Sequence, residues 1–256
     1  MNKRKLVIVA GKGTSTAILY NSLKNEYDIA AVILEEPVDR KQFIKKRIKK
    51  LGAWQVFGQI LFQFSIAKYL QFTSVKRKKE ILRKYDLEDT PLPKNKVINI
   101  KTINDSRCKD LLKELKPELV IVNGTRIISK DILDSIPEKF INIHTGITPK
   151  YRNVHGAYWA IVNDDLENCG VTVHLVDTGI DTGNIIYQQT IKVTKKDNFS
   201  TYPILQLAEG IIILKKAIDD IFSNNLQLRK NNLDSKMWYH PTFWQYLYYR
   251  SVLKKK

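Results

Sequence analysis

Apolar runs and turn signals alternate in the N-terminal part of the chain. The run KLVIVA at 5–10 precedes a glycine turn and a segment with helical spacing, GKGTSTAILYNSL at 11–23. A second apolar run, YDIAAVILEE, follows at 27–36. A strand, a glycine turn, a helix and another strand are typical of the start of a doubly wound α/β sheet.

The same rhythm returns in the second half of the chain. Further strands are predicted for KVINI at 96–100, ELVIVNG at 118–124, FINIH at 140–144, GVTVHLV at 170–176 and NIIYQQTIKV at 184–193. The last two alternate in the manner of antiparallel or edge strands. Further helices are predicted for 105–115, for 129–136 with Ser129 as N-cap, and for 200–222.

The segment at 40–84 interrupts this rhythm and reads as an insertion after the second strand. Its pattern, basic first and apolar later, predicts one or two helices. It contains fourteen Lys and Arg residues and one acidic residue, Glu80, and so carries a charge of +13. Three interpretations remain open: a helical hairpin packed on the sheet with solvated lysines, a helix on an anionic membrane surface, or a polyanion site. Nucleic acid is the weakest partner, because aromatic side chains are not interleaved with the charges.

Length and composition complete the predicted architecture. The chain has 256 residues, 43% of them hydrophobic, which suffices for a packed core. We expect an α/β fold with a doubly wound, mostly parallel sheet over 1–222, the helical insertion at 40–84, and an aromatic and basic C-terminal extension at 223–256. Two distant cysteines, no signal-peptide pattern and no apolar run of about 18 residues predict a cytoplasmic protein.

Two polar side chains stand at the end of a predicted buried strand. Asn142 and His144 alternate with Ile141 and Ile143 and therefore share one face. Ligands in open α/β sheets bind beyond the carboxyl ends of strands, and both side chains can donate a hydrogen bond to one oxygen atom. The alternative is a structural Asn beside a buried, satisfied His.

A glycine-rich loop follows the next predicted strand, in VHLVDTGIDTGNII at 173–186. A plain turn accounts for its composition, and too few oxygen ligands are present for calcium. The functional interpretation is that Asp181 returns to orient His144 and favours its imidazolium form. Two further loops are weaker signals: VIVNGTRIISK at 120–130, and AGKGTSTA at 10–17, which could bind phosphate at a helix start.

Taken together and in their order along the chain, the four segments described above resemble those of the folate-dependent formyltransferases. That family includes glycinamide ribonucleotide formyltransferase, the catalytic domain of methionyl-tRNA formyltransferase and sugar N-formyltransferases. The resemblance covers about 96–191, with a looser match over 5–34, and rests on Asn-x-His followed by a distant Asp in a glycine-rich loop. HTGITPKYRNVHGAYWAI at 144–161 is closest in style to polysaccharide-pathway members, although Asn153 replaces the usual glycine.

The resemblance implies a Rossmann-like fold and an enzyme that uses 10-formyltetrahydrofolate without a metal. It implies Asn142, His144 and Asp181 as catalytic residues that stabilise a tetrahedral intermediate. The implied folate-binding residues are Arg126, Ile127, Ile128, Val176, Asp177, Thr178 and Ile180. The implied acceptor-binding residues are Gly11, Gly13 and Thr14, and Arg152 could help to bind acceptor phosphates.

The acceptor that we expect is a primary amine on a small phosphorylated or nucleotide-linked molecule, with an amino sugar as the leading class. Glycinamide ribonucleotide is the second candidate, supported by the first loop and opposed by the insertion, which the purine enzyme lacks. An interpretation of another class is a non-catalytic protein that binds folate, a polyanion or a membrane surface. A homodimer and peripheral membrane association are left open.

Overall fold

The computed structural model describes residues 3–255, and within that range it contains a central sheet flanked by helices. The strands are β1 (Lys5–Gly11), β2 (Asp28–Glu35), β3 (Val97–Ile100), β4 (Leu119–Asn123), β5 (Phe140–His144), β6 (Arg152–Asn153), β7 (Gly170–Leu175), β8 (Ile185–Thr190) and β9 (Met237–Trp238).

Seven of these strands form the central sheet, in the order β3-β2-β1-β4-β5-β7-β8. Strands β1 to β5 are parallel to their neighbours, whereas β7 runs antiparallel to β5 and β8 antiparallel to β7. The predicted doubly wound, mostly parallel sheet is confirmed, together with the antiparallel character of the last two strands. Strands β6 and β9 form a separate two-stranded parallel sheet.

Helices cover both faces of the sheet. They are α1 (Thr14–Leu23), α2 (Arg40–Leu51), α3 (Ala53–Phe62), α4 (Lys68–Thr73), α5 (Val75–Lys84), α6 (Ser106–Leu115), α7 (Lys130–Leu133), α8 (Gly156–Val162), α9 (Tyr202–Phe222) and α10 (Phe243–Ser251). A π-helical turn, Gln63–Ala67, joins α3 to α4. Ser129 occupies the N-cap position of α7, as expected, but its side chain makes no capping hydrogen bond.

The alternation of side chains along β1 divides the core into two layers. Leu6 and Ile8 pack toward α1 and α9, whereas Val7 and Val9 pack toward α6 and α7. All four side chains are fully buried. A parallel strand covered by helices on both faces needs apolar residues at successive positions, which explains the continuous run KLVIVA.

The insertion forms four helices, α2 to α5, rather than the one or two that the pattern predicted. Its buried residues do not pack chiefly on the sheet. Phe62 instead contacts the rings of Phe199 and Tyr246, at centroid distances of 4.9 and 5.2 Å. Trp54 stacks on Trp244 at 4.6 Å. Aromatic packing therefore joins the insertion to the C-terminal extension. Within the described residues, no helix is both long and apolar enough to cross a membrane.

Candidate active site

A cavity of about 480 Å³ lies beyond the carboxyl ends of β4 and β5. Its other wall is the loop between β7 and β8, which contains Asp177, Ile180 and Asp181. Binding sites in open α/β sheets form at this edge because the strand ends and the loops that follow them converge there. The cavity volume falls within the range of about 300–1,000 Å³ that is usual for small-molecule sites.

Three residues predicted to act together meet in this cavity. Asn142 and His144 both line it from the end of β5, as their alternation predicted. Asp181 reaches them from the opposite loop and places its Oδ2 3.3 Å from His144 Nδ1. The His144 and Asp181 side chains are only 5% and 13% exposed, so their interaction is poorly screened by solvent.

The local backbone fixes the position of Asp181. Its φ of 51° is in the left-handed region, which an aspartate tolerates better than most residues. The backbone N–H of Asn153 donates to Asp181 Oδ2 over 2.9 Å. Gly183 lies so close to Leu175 that a Cβ there would be 1.7 Å from the Leu175 carbonyl oxygen. The loop can therefore approach β7 only with glycine at this position.

A second histidine, His174, belongs to the same network, although the sequence interpretation gave it no role. It lies opposite Asn142 in the β5–β7 pairing, and its Nε2 is 3.1 Å from Asn142 Nδ2. Its Nδ1 donates to the Leu175 carbonyl over 2.7 Å, which leaves Nε2 as the acceptor for Asn142. Asp181 Oδ1 is 3.7 Å from His174 Nε2. In the sequence, the polar residues Thr172 and His174 within the otherwise apolar β7 could have indicated this role.

Burial decides the charge of the His144–Asp181 pair. Burial lowers the pKa of His144, and this effect outweighs the nearby carboxylate of Asp181, which raises it. Burial raises the pKa of Asp181, but the positive charge of His144 when it is protonated, the nearby His174 and the Asn153 N–H together lower it to about 2. The lowered pKa of His144 disfavours the expected imidazolium at neutral pH and favours a neutral ring beside the Asp181 carboxylate.

The ring is nevertheless placed to hold a second proton. His144 Nε2 is 2.7 Å from the Tyr151 carbonyl oxygen, which can only accept, so Nε2 carries the hydrogen of the neutral ring. Nδ1 faces Asp181 and carries none. A proton taken up at Nδ1 would be stabilised by the carboxylate beside it.

The predicted folate-binding segments form two walls of the cavity. Arg126, Ile127 and Ile128 line one side, and Val176, Asp177 and Ile180 line the other. Thr178 is exposed and is not among the lining residues. Ile127 is 48% exposed despite its apolar side chain, whereas Ile128 is buried.

Glu35, at the end of β2, holds the first wall and was not predicted. Its carboxylate accepts from the Arg126 backbone N–H over 2.9 Å and is 3.3 Å from the Arg126 guanidinium. It also accepts from the Ile103 N–H over 2.8 Å. The Arg126 side chain donates to the Glu36 carbonyl, so its charge is engaged within the protein. A buried acidic residue ending an apolar strand was the sequence signal for this role.

The predicted acceptor-binding residues lie at the margin of the cavity. Gly11, Gly13 and Thr14 do not line it, although their neighbour Ser15 does. A Cβ on Gly11 would be 2.6 Å from the Gly124 carbonyl oxygen, so that glycine serves the close approach of two strand ends. Arg152 does not line the cavity either, and its guanidinium donates to the Ile180 carbonyl over 3.4 Å.

Comparison with known proteins assigns the family. The sequence profile of the family described as Formyl transferase matches residues 3–204. Methionyl-tRNA formyltransferase of Finegoldia magna is 35% identical over 125 residues, covering 48% of this chain and 40% of that protein. The match thus spans less than half the length of this curated relative.

Several solved formyltransferase structures have the same fold, and two of them illustrate it. The N-formyltransferase of Helicobacter canadensis, in complex with folinic acid and dTDP-3-aminofucose, has a TM-score of 0.54 at 23% identity, covering 93% of this chain and 71% of that one. Phosphoribosylglycinamide formyltransferase of Streptococcus pneumoniae has a TM-score of 0.53 at 18% identity, covering 86% and 99%. Together with the profile match, these findings confirm the predicted fold and show that the chain belongs to the formyl transferase family.

Proposed function

We propose that this protein is a 10-formyltetrahydrofolate-dependent N-formyltransferase that acts on a primary amine of a small phosphorylated or nucleotide-linked acceptor. Its family uses formyl-tetrahydrofolate as the formyl donor. The observation that carries the proposal is the convergence of Asn142, His144 and Asp181 in one cavity. An amino sugar is the leading acceptor class.

The cavity walls fit a flat heteroaromatic ring such as the pteridine of the donor. Ile127, Ile128 and Val176 supply apolar surface, and the backbone of the β7–β8 loop supplies polar edges. Ile127 is half exposed at the cavity, an arrangement that a stacked ligand ring would cover. Arg126 is held by Glu35, so we assign it to wall structure rather than to charge recognition.

In the proposed reaction the donor supplies an activated formyl carbon, and the acceptor amine attacks it. One C–N bond forms, the C–N bond to the folate breaks, and a proton passes from the amine to the departing folate nitrogen. Negative charge develops on the formyl oxygen. One hydrogen of Asn142 Nδ2 faces His174, and the second is available to donate to that oxygen. A preorganised donor of this kind typically contributes about 10²–10³ in rate.

His144 and Asp181 handle the proton in this mechanism. The neutral ring with a free Nδ1 can accept a proton, and Asp181 would stabilise the resulting imidazolium. Asp181 has a low pKa, so it remains charged throughout the neutral range. General acid–base groups typically contribute about 10²–10⁴ in rate. In this mechanism His144 is neutral before the reaction and gains its proton during it, whereas the sequence interpretation expected an imidazolium from the start.

The acceptor class rests on similarity. The Helicobacter structure contains a nucleotide-linked amino sugar, and its fold extends over most of this chain. A purine-pathway acceptor is the second candidate, because this fold spans 99% of the Streptococcus pneumoniae enzyme. Because the sequence is also similar to methionyl-tRNA formyltransferase, methionyl-tRNA must be tested as an acceptor beside the sugars.

A mass-spectrometric screen tests the proposal. The protein and 10-formyltetrahydrofolate are incubated with nucleotide-linked amino sugars, glycinamide ribonucleotide and methionyl-tRNA. A sugar nucleotide heavier by one formyl group is the expected result. If only glycinamide ribonucleotide or only methionyl-tRNA is formylated, the amino-sugar acceptor is wrong but formyl transfer from the folate donor is supported. Binding of the donor with no formylation of any amine, also in an extended amine panel, would favour a non-catalytic folate-binding protein.

A further inference from the structure

The helical insertion presents apolar side chains to solvent along one face. Trp54, Phe57, Leu61 and Phe64 follow one another at intervals of three, four and three residues, and so lie on one side of α3 and its π-helical continuation. Phe64 is 72% exposed, and Phe72 on α4 is 81% exposed. We call these five residues, together with α2, the insertion face.

The opposite side of the same helices is also apolar. Val56, Phe62 and Ala67 are buried in the body of the protein. A helix that is apolar on both sides and covered on only one is unusual in a monomeric protein, whose surface rarely exposes large contiguous apolar patches. The insertion face therefore has the character of a contact surface.

Helix α2 adds positive charge beside the aromatic row. Seven of its twelve residues are Lys or Arg, and none of its residues is buried. It packs along α3, where Arg47 Nε donates to Gln59 Oε1 over 2.9 Å. The sequence contains no acidic residue from position 40 to position 79. The positive charge of the insertion face is therefore not neutralised by any residue of α2, α3 or α4.

A second segment, distant in sequence, adjoins this surface. Helix α10 lies against α3 through the Trp54–Trp244 stack, whose centroids are 4.6 Å apart. Leu247 and Tyr248 on α10 are 41% and 52% exposed. The exposed Arg250 at the end of α10 and Lys254 after it add positive charge. Lys255 instead pairs with Asp164. Apolar exposure and positive charge thus coincide in both segments.

We propose that the insertion face docks on an anionic lipid bilayer. Trp and Phe side chains enter the headgroup and upper acyl region, and the lysines of α2 lie against lipid phosphates. A protein partner fits less well, because interface cores are depleted in lysine. A single-stranded nucleic acid would need bases stacked between the charges, whereas here the aromatic row and the lysines occupy separate helices. The docking surface is distinct from the catalytic cavity, so the proposal does not depend on the acceptor.

Co-sedimentation with vesicles tests the proposal. The full chain is mixed with vesicles of phosphatidylcholine alone or of phosphatidylcholine with phosphatidylglycerol. We expect the protein to pellet only with the anionic vesicles, and added salt to weaken the binding. Each basic residue near an anionic surface contributes about fivefold to partitioning, so removal of four should reduce it by about 10²–10³-fold.

Two variants separate the apolar and the electrostatic parts. F64S/F72S removes two highly exposed rings that make no described ring contact, and should weaken binding without lowering the unfolding temperature. The charge variant replaces four exposed residues of α2 as K41Q/K45Q/K46Q/K49Q. Its matched control replaces four exposed lysines elsewhere as K113Q/K130Q/K139Q/K192Q, and should bind nearly as well as the unmodified chain.

Three results would overturn the proposal. The first is no pelleting with anionic vesicles, and the second is equal loss of binding in the charge variant and its control. The third is a concentration-dependent dimer, seen by sedimentation velocity, that F64S/F72S abolishes while vesicles fail to bind. That result would identify the insertion face as a contact between two copies of the chain.

Discussion

Replacement of Asp181 by Asn tests the proposed proton chemistry and the electrostatics of the cavity together. The variant keeps the shape of the side chain and an oxygen that can accept from the Asn153 N–H, but removes the charge beside His144. Turnover should fall by about 10²–10⁴, because the ring loses the partner that stabilises its protonated form. The KM for the folate donor should change little, since the cavity walls are intact.

The same substitution has a stability effect of calculable size. A carboxyl with a pKa of about 2 in the folded protein, against about 3.9 in the unfolded chain, contributes roughly 2–3 kcal/mol at neutral pH. The folded pKa is the lower one, so this stabilisation is present above pH 3.9 and is lost as the pH falls toward 2. At pH 3 about half of it remains.

Urea unfolding followed by circular dichroism at several pH values measures this difference. The gap between the unmodified protein and D181N should reach roughly 2–3 kcal/mol at pH 7 and shrink toward pH 3. D197N is the matched control, because Asp197 is a buried carboxylate with a lowered pKa, paired with Arg77 outside the cavity. It should lose stability but keep turnover. Turnover of D181N within tenfold of normal would refute the catalytic assignment, and a stability gap that does not change with pH would refute the electrostatic argument.

Three further substitutions test the supporting network. H174F removes the acceptor of the Asn142 side chain and should lower kcat by at least about tenfold with an unchanged donor KM, whereas H174Q should recover part of the loss in the same steady-state assay. G146A would place a Cβ 2.2 Å from the Tyr151 carbonyl oxygen and 2.7 Å from His144 Nε2. It should lower turnover and the unfolding temperature, with a loss of about 1–3 kcal/mol in stability as for other overpacked sites. E35Q removes the charge that holds Arg126 and should raise the calorimetric Kd for a folate analogue several-fold, with a small change in kcat.

For each of these three substitutions, a different result would contradict the proposed role. A donor KM that rises in H174F while kcat is unchanged would place His174 in the folate wall instead. Normal turnover in a folded G146A would mean that the observed position of the His144 ring is not required. A large fall in kcat for E35Q with unchanged binding would assign Glu35 a role in the chemistry.

Several features followed from the sequence because their causes are local. Period-two alternation placed Asn142 and His144 on one face of a strand, and the apolar run of β1 required burial on both sides. Glycine positions marked the loops, and the order of strands and helices indicated a mostly parallel sheet. These patterns depend on backbone geometry that neighbouring residues determine.

Tertiary structure decided the features that depend on distant residues. Asp181 is 37 positions after His144 in the chain, and its role needs the β5–β7 pairing and the left-handed turn that returns it to the cavity. The participation of His174 depends on the same strand register. The lowered pKa of His144 follows from its burial, since burial opposes charge more strongly than one carboxylate favours it. Charge and contact depend on the whole environment of a group, and only the folded chain assembles that environment.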